Sequence, residues 1–180
     1  MSNQSRQKSD RQGDNPGCVN SDLWRDQILC GDAYEQLRQL PDDLVDTIVT
    51  SPPYYRQRDY QSPQQIGQEA SLETYLDRLV AVFCECRRVL KPTGSLWLVL
   101  GDKYVNGRQL GLPWRVALAL QEQEWILRSD IIWHKPNAMP SSVKTRPTTD
   151  HEYIFFMTRQ QKYYYDADAG WDQRSRRWYG

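Results

Sequence analysis

The sequence has 180 residues, of which 39% are apolar and 26% are charged, and this length and composition suit one folded domain. Its 23 basic and 23 acidic residues give no formal net charge, so any contact with a nucleic acid must come from local patches. No run approaches the ~20 apolar residues of a membrane helix, and the N-terminus is too polar for a signal peptide. The four cysteines match no zinc spacing, so we expect reduced thiols in a cytoplasmic protein without a bound metal.

The first elements in chain order are a polar tail, a strand and a helix. Residues 1–22 are rich in Ser, Gln, Asn, Asp and Arg, and this composition predicts a disordered tail. The folded part, residues 23–165, is predicted to start with a short strand at Gln27–Cys30 and a helix at Ala33–Leu40. A β-branched run at Val45–Val49 then predicts a buried strand.

Helices and strands continue to alternate along the rest of the chain. Polar residues 56–70 predict a loop whose length favours a functional role. Apolar residues at helical spacing, with Ser71 as N-cap, predict a helix at Leu72–Leu90 that is stopped by Pro92–Gly94. A continuous apolar run predicts a strand covered on both faces at Ser95–Leu100. The remaining predicted elements are a helix at Pro113–Gln121 and strands at Ile126–Ile132 and Tyr153–Thr158. This order predicts an α/β sheet that is at least partly parallel.

The most informative segment is Thr50–Tyr55, which reads Thr-Ser-Pro-Pro-Tyr-Tyr directly after a predicted strand. Two prolines cannot continue a strand ladder, so the strand must end in a stiff turn. The turn places the Ser51 hydroxyl, the Pro52 carbonyl and the Tyr54 ring where open α/β sheets bind ligands. Two acceptors beside an aromatic ring suit a planar ring that carries an amine, such as a nucleobase. Taken alone, the motif also fits a strand-ending turn with a packed tyrosine.

Two acidic residues also follow predicted strands. Asp32 could accept hydrogen bonds from a ligand, and it equally suits the N-cap of the following helix, so the two roles can coexist. Asp102 could face the same crevice, although capping a turn is the favoured interpretation. His134 and His151 lie far apart in sequence and show no ligand pattern.

Five segments together resemble a known family. They occur in one order between residues 28 and 166, at 28–32, 50–54, 130–137, 146–153 and 163–166. This set is similar to the N-terminal, catalytic half of bacterial and phage DNA amino-methyltransferases of the N4-cytosine/N6-adenine family with permuted motif order. The resemblance implies an α/β, Rossmann-like S-adenosylmethionine-dependent methyltransferase sheet, with S-adenosylmethionine as cofactor and double-stranded DNA as partner.

The resemblance also implies roles for individual residues. The catalytic residues would be Ser51, Pro52, Pro53 and Tyr54. Asp32 and Ser51 would bind the cofactor, and Tyr54 and Trp133 would hold a flipped base between them, although Trp133 alone also fits a core position. Phosphate contacts would come from a basic loop with Lys135, Lys144 and Arg146, and from a second basic stretch that begins at Arg159.

One expected part of such an enzyme is missing from the sequence. Only three glycines precede Ser51, and two of them lie in the polar tail, so the glycine-rich turn that cradles the cofactor is not upstream. In the permuted class this turn follows the target-recognition region, and residues 166–180 are expected to begin that region or a linker. We therefore expect an incomplete sheet whose cofactor-binding strands follow residue 180. A truncated gene product, a fragment, or half of a split enzyme completed by a second polypeptide all fit this expectation.

Several functions remain open at this point. Serine before Pro-Pro favours cytosine N4 over adenine N6 as the methylated amine, by association only. Such methylation would be that of a restriction-modification system. Enzymes that methylate RNA or a protein glutamine use related turns, but they carry the glycine-rich turn upstream. A remnant or subunit that binds DNA or a partner without catalysis is the non-enzymatic alternative.

Overall fold

The computed structural model describes residues 21–138 and 141–169, so most of the predicted tail and residues 170–180 lie outside the described residues. A short 3-10 helix, Ser21–Trp24, comes first. The α-helices are α1 (Ala33–Gln39), α2 (Leu72–Val89) and α3 (Leu112–Glu122). The strands are β1 (Val45–Thr50), β2 (Leu90–Leu100), β3 (Tyr104–Val105), β4 (Arg108–Gln109), β5 (Ile126–His134) and β6 (His151–Thr158). None of the helices in this part of the chain is both long and apolar enough to cross a membrane.

Four of the strands form one mixed sheet in the order β1-β2-β6-β5. β1 and β2 are parallel, whereas β6 is antiparallel to both β2 and β5. The predicted α/β sheet with a parallel part is thus confirmed. Because β1, β2 and β5 run in the same direction, their carboxyl ends meet at one edge, together with the amino end of β6. This edge gathers the segments that follow Thr50, Leu100 and His134.

One face of the sheet packs against the helices and forms the core. Strand β2 alternates, so Leu96, Leu98 and Leu100 point to this face and are buried. The same core contains Tyr75, Leu79 and Phe83 of α2, Val116, Ala117 and Leu120 of α3, and Phe155 and Met157 of β6. The apolar spacing that predicted α2 therefore marks its buried side, and Ser71 caps the helix as predicted by accepting from the Thr74 N–H.

The opposite face of the sheet is only partly covered by the described residues. Trp97 of β2 stacks on Phe156 of β6, with ring centroids 4.5 Å apart, and Tyr163 and Tyr165 also contact Phe156. Val49 on β1 is 72% exposed. Trp97 and Val99, on this second face of β2, are half-buried, so the predicted cover on both faces of this strand is present in part among the described residues.

The strand predicted at Gln27–Cys30 does not form. These residues are irregular, and Ile28 is 96% exposed. A strand needs a hydrogen-bonded partner, and no described strand pairs with this segment. An apolar run of this length was too short to distinguish a strand from an extended connection.

The end of α2 also differs from the prediction. The helix ends at Val89 and β2 begins at Leu90, so Pro92–Gly94 lies inside a strand. The pairing with β1 shifts here, since Leu90 lies opposite Val45 and the next pair is Ser95 with Thr47. An irregular ladder tolerates a proline, which cannot donate a hydrogen bond. A Cβ on Gly94 would lie 2.7 Å from the Asp46 carbonyl oxygen, so the close approach requires glycine.

The long loop between β1 and α2 is held by a buried carboxylate. The Glu69 side chain is only 3% exposed and accepts from the Arg78 guanidinium at 2.8 Å and from the Gly67 N–H at 2.9 Å. Arg78 also donates to the carbonyl oxygens of Gln64 and Gln65. The predicted irregular loop is confirmed, and one arginine on α2 fixes much of its path.

We expect Arg78→Met to lower the free energy of unfolding by about 1–3 kcal/mol, because it leaves the Glu69 carboxylate buried without its cation. Equilibrium urea unfolding measures this change. Adding Glu69→Gln should restore part of the loss, since a neutral amide tolerates burial better. The matched control is Arg38→Met, whose partner Glu35 is exposed, and it should change stability by less than about 0.5 kcal/mol. Equal effects at Arg78 and Arg38 would contradict this account.

Candidate active site

An open cavity of about 460 Å³ lies at the edge where the strands end. It brings together predicted site residues from separate elements. The turn after β1 contributes Ser51–Tyr54, and the end of β5 contributes Trp133 and Lys135. The other lining residues are Gln57, Arg58, Tyr60, Val99 and Glu152. Residues that are far apart in sequence meet here because β1 and β5 point the same way.

The Pro-Pro turn carries two hydrogen-bond acceptors that are not used up by the described residues. The Ser51 hydroxyl donates to the Tyr54 hydroxyl oxygen at 3.1 Å, which leaves the lone pairs of the Ser51 oxygen available. Within residues 21–138 and 141–169, no donor is hydrogen-bonded to the Pro52 carbonyl. Two acceptors therefore lie side by side on a turn that the prolines stiffen.

Tyr75 of α2 anchors this turn from the side of the sheet that the helices cover. Its hydroxyl donates to the Pro53 carbonyl at 3.0 Å. Burial, reinforced by the nearby Glu69 carboxylate, raises the pKa of Tyr75 above its ordinary value, so the hydroxyl stays a neutral donor. The helical spacing identified Tyr75 as one of the apolar residues of its helix. Its contact with the turn was missed, because a separation of 22 positions between Pro53 and Tyr75 conceals the proximity.

The Tyr54 ring lies between the turn and the end of β2. A Cβ on Gly101 would come within 2.9 Å of the ring, so a larger residue there would force the ring to shift. Burial raises the pKa of the Tyr54 hydroxyl, which is therefore neutral near pH 7. The ring is half-buried and lines the cavity. Its stacking on a base stays a prediction.

Trp133 and a charged pair form another part of the cavity wall. Trp133 is 50% exposed, so it is not a core residue. Lys135 forms an ion pair with Glu152 at 2.5 Å and lies 5.9 Å from the Trp133 ring centroid. Glu152 is 18% exposed and was given no role from the sequence. Glu152 lies opposite Trp133 in the antiparallel pair of β5 and β6. Its place in the site could therefore be found only by pairing these two strands in the correct register.

The two acidic residues at predicted strand ends have structural partners. One Asp32 oxygen accepts from the N–H groups of Tyr34 and Glu35, at 3.0 and 3.2 Å, so the N-cap role is present. Asp32 does not line the cavity of Ser51 and Trp133. The Asp102 carboxylate accepts from three backbone N–H groups, those of Lys103, Gly111 and Leu112. Asp102 thus holds the start of α3, as the turn-capping interpretation predicted.

The predicted phosphate-contacting residues do not form one group. Lys135 lines the cavity, whereas Arg146 lies in a neighbouring groove against Tyr104. Lys144 is exposed and lines neither space. Arg159 pairs with Asp43 and donates to the Leu90 carbonyl, so its guanidinium serves the fold rather than a ligand.

A mixed α/β sheet with a Ser-Pro-Pro-Tyr turn at the edge of its parallel part is typical of the Rossmann-like methyltransferase fold. A family model described as DNA methylase, of the N6/N4 group, matches residues 45–178. The chain therefore belongs to the N6/N4 DNA methylase family.

Curated relatives support this assignment. The chain is 46% identical over 168 residues to the type II methyltransferase M.Cfr9I of Citrobacter freundii, covering 77% of this chain and 56% of that protein. It is 39% identical to M.SmaI of Serratia marcescens, covering 89% of this chain and 68% of that protein. The chain thus spans about half the length of the Citrobacter relative.

Solved structures show the same fold. A DNA modification methylase of Thermus thermophilus, in complex with S-adenosyl-L-methionine, superposes with a TM-score of 0.58 at 30% identity, covering 77% of this chain and 55% of that one. The cytosine-N4-specific PvuII DNA methyltransferase gives a TM-score of 0.61 at 22% identity, covering 74% and 49%. At that lower identity the likeness concerns the fold.

We expect Tyr75→Phe to loosen the Pro-Pro turn while leaving the core packed. The variant removes one hydrogen bond to the Pro53 carbonyl and should lower stability by about 1 kcal/mol. Hydrogen–deuterium exchange should become faster at the amides of Arg56 and Gln57, which close the turn by bonding to Gly67 and Tyr54. Tyr164→Phe, at an exposed position, serves as the control and should change neither quantity. Unchanged exchange in Tyr75→Phe would show that the turn does not depend on this contact.

Proposed function

We propose that the protein that carries these residues is a DNA methyltransferase that moves a methyl group from S-adenosylmethionine to an exocyclic amine of a flipped base. The observation that carries the proposal is the Ser51–Tyr54 turn, which has two free acceptors and lines the same cavity as Trp133. Membership of a DNA methylase family supports DNA as the substrate. The activity is proposed for the full-length gene product.

The chemistry of the amine explains why two acceptors are needed. Its lone pair is delocalised into the base, so the nitrogen is a poor nucleophile. Acceptors aimed at its two N–H groups favour a more pyramidal nitrogen and stabilise the positive charge that develops there. In this proposal the Ser51 hydroxyl oxygen and the Pro52 carbonyl are those acceptors. Pro53 and the hydrogen bond from Tyr75 keep them in place before the base arrives.

The base would be held by aromatic side chains. A target atom inside a duplex is out of reach, so the nucleotide must swing out of the stack into a pocket. Tyr54 would stack on the base, and Trp133 would close the cavity from the β5 side. Glu152 lies beside them with Lys135 as its partner, so it brings no unpaired charge to the cavity.

S-Adenosylmethionine would supply an electrophilic methyl group on a sulfonium centre. The residues present fit part of its surface. The turn Ser51–Pro53 also lines a second, mainly apolar cavity of about 370 Å³ between α1, β1 and α2. Asp32 lines neither this cavity nor that of Trp133, and one of its carboxylate oxygens is already used as the N-cap, so its role toward the cofactor rests on the family resemblance. The glycine-rich cradle that the family resemblance implies does not precede Ser51.

Cytosine N4 is the favoured target within this proposal, and adenine N6 is the alternative. The lean rests on serine before Pro-Pro and is associational, because a hydroxyl can accept from either amine. A role in restriction-modification is supported by the type II methyltransferases among the relatives. Completion by a second polypeptide has no support beyond the expected gap in the sheet.

The test is methyl transfer from labelled S-adenosylmethionine to diverse unmodified duplex DNA by the full-length gene product. Digestion of the DNA and mass spectrometry then distinguish N4-methylcytosine from N6-methyladenine. No transfer to any DNA would sink the proposal, and label in RNA alone would favour an RNA enzyme. Calorimetric binding of S-adenosylmethionine separates an enzyme from a subunit without catalysis.

We expect Ser51→Ala to lower the single-turnover methylation rate by roughly 10- to 100-fold, because one acceptor at the reacting amine is lost. Rapid-quench measurements with enzyme in excess over DNA give this rate directly. Ser129→Ala is the control, since the Ser129 hydroxyl is exposed on β5 and contacts the Asp130 carbonyl. An unchanged rate in Ser51→Ala would remove Ser51 from the catalytic group.

A further inference from the structure

A groove of about 340 Å³ lies next to the 460 Å³ cavity that Ser51 and Trp133 line. Gln57 lines both spaces, and its backbone N–H is bonded to the Tyr54 carbonyl. The groove is polar, and its walls include Lys103, Tyr104, Arg146 and Thr148. Gln57 is therefore a wall shared by this groove and the cavity of Ser51 and Trp133, and the two spaces are neighbours on the surface.

Arg146 is held by stacking rather than by an ion pair. Its guanidinium carbon lies 3.5 Å from the centroid of the Tyr104 ring. A guanidinium that stacks by its face keeps its N–H groups at the edge, where they can bind an anion. Its one hydrogen bond within the described residues is a long one, 3.4 Å to the Pro147 carbonyl. The Arg146 guanidinium is thus held in place by the ring, and most of its N–H groups remain available to a ligand.

The Tyr104 ring belongs to a short hairpin. β3 and β4 pair at Tyr104–Gln109 and Val105–Arg108. The turn between them has Asn106 at φ 50° and Gly107 at φ 75°, as the tightest hairpin turns require. The Tyr104 hydroxyl bonds to the Gln109 side chain at 3.2 Å. A short hairpin with its tyrosine fixed in this way serves as a platform for Arg146.

The charge in the groove favours an anion. Lys103 donates to the Arg56 carbonyl, and an ammonium has two further donors. Asp102 is the only acid among the described lining residues, and three backbone N–H groups at 2.8 to 3.0 Å already offset its charge. Two cations and the Thr148 hydroxyl remain for a ligand. A tetrahedral oxyanion with several acceptors matches these donors.

We propose that this groove binds a backbone phosphate of the DNA strand next to the flipped nucleotide, with Arg146 on its Tyr104 platform as the main contact. The inference rests on the proposed function, because it takes DNA as the ligand. Phosphate contacts fix the position of a strand without reading its sequence. The groove would therefore set where the target nucleotide stands relative to the Ser51–Tyr54 turn, whatever the flanking bases are.

The experiment measures DNA affinity of the full-length gene product by fluorescence anisotropy over a range of salt concentrations. Duplexes carry the target base and one neutral methylphosphonate at each flanking position in turn. For Arg146→Ala we expect roughly 5- to 10-fold weaker binding and a salt-dependence slope smaller by about 1. At one flanking position, the methylphosphonate should weaken the unchanged protein to a similar extent and add nothing to Arg146→Ala.

Two further variants keep the result interpretable. Arg146→Lys should keep the slope but lose part of the affinity, since the charge remains without the planar fork. Arg128→Ala is the matched control, because Arg128 also lies over a tyrosine, 5.0 Å from the Tyr163 ring, but outside the groove. The salt dependence of DNA affinity in Arg128→Ala should equal that of the unchanged protein. Circular dichroism melts confirm that each variant is folded.

The outcomes separate this proposal from the proposed function. Normal DNA binding with an unchanged slope in Arg146→Ala overturns the groove as a phosphate site. So do additive effects of the methylphosphonate and the variant at every position. Failure of the unchanged protein to bind any DNA overturns DNA as the substrate, and the groove falls with it. DNA binding without methyl transfer leaves the groove standing and rejects the catalytic proposal.

Discussion

The common direction of β1, β2 and β5 is the constraint on which the rest of the structure depends. It brings the ends of three strands to one edge, and the start of β6 to the same place. Ser51, Gly101 and Trp133 become neighbours only for this reason. Each strand ends with a residue suited to its place: prolines that stop β1, a glycine that admits a ring, and an exposed tryptophan. The edge would not be a site if β5 ran the other way.

The turn at this edge is rigid because it is held from two sides. Tyr75 bonds to it from the helical layer, and Gly101 leaves room for the Tyr54 ring beside it. The loop that follows is fixed by Arg78 and the buried Glu69 carboxylate. Packing and polar contacts thus act together, since the helix that fills the core also supplies the two side chains that order the turn and its loop.

Local features of the chain were predictable, and long-range pairings were not. The stop after β1 and the cap at Ser71 follow from proline chemistry and from side chains that bond nearby N–H groups. Glu152 was missed because its position depends on pairing with Trp133 on the neighbouring strand. Gln27–Cys30 was wrongly predicted because a strand requires a partner that composition cannot supply. Pro92–Gly94 was misread for a similar reason, since its bulge depends on the Asp46 backbone opposite.

The segment Ser51–Pro53 forms a wall shared by two cavities, one beside Trp133 and one between α1 and α2. A shared wall couples its two sides thermodynamically. If an occupant of one cavity displaces the wall, it changes the affinity of the other cavity, and the reciprocal effect has the same size. The more firmly Tyr75 holds the turn, the smaller this displacement becomes. The hydrogen bond from Tyr75 would thus limit how strongly a ligand bound in one cavity changes the affinity of the other.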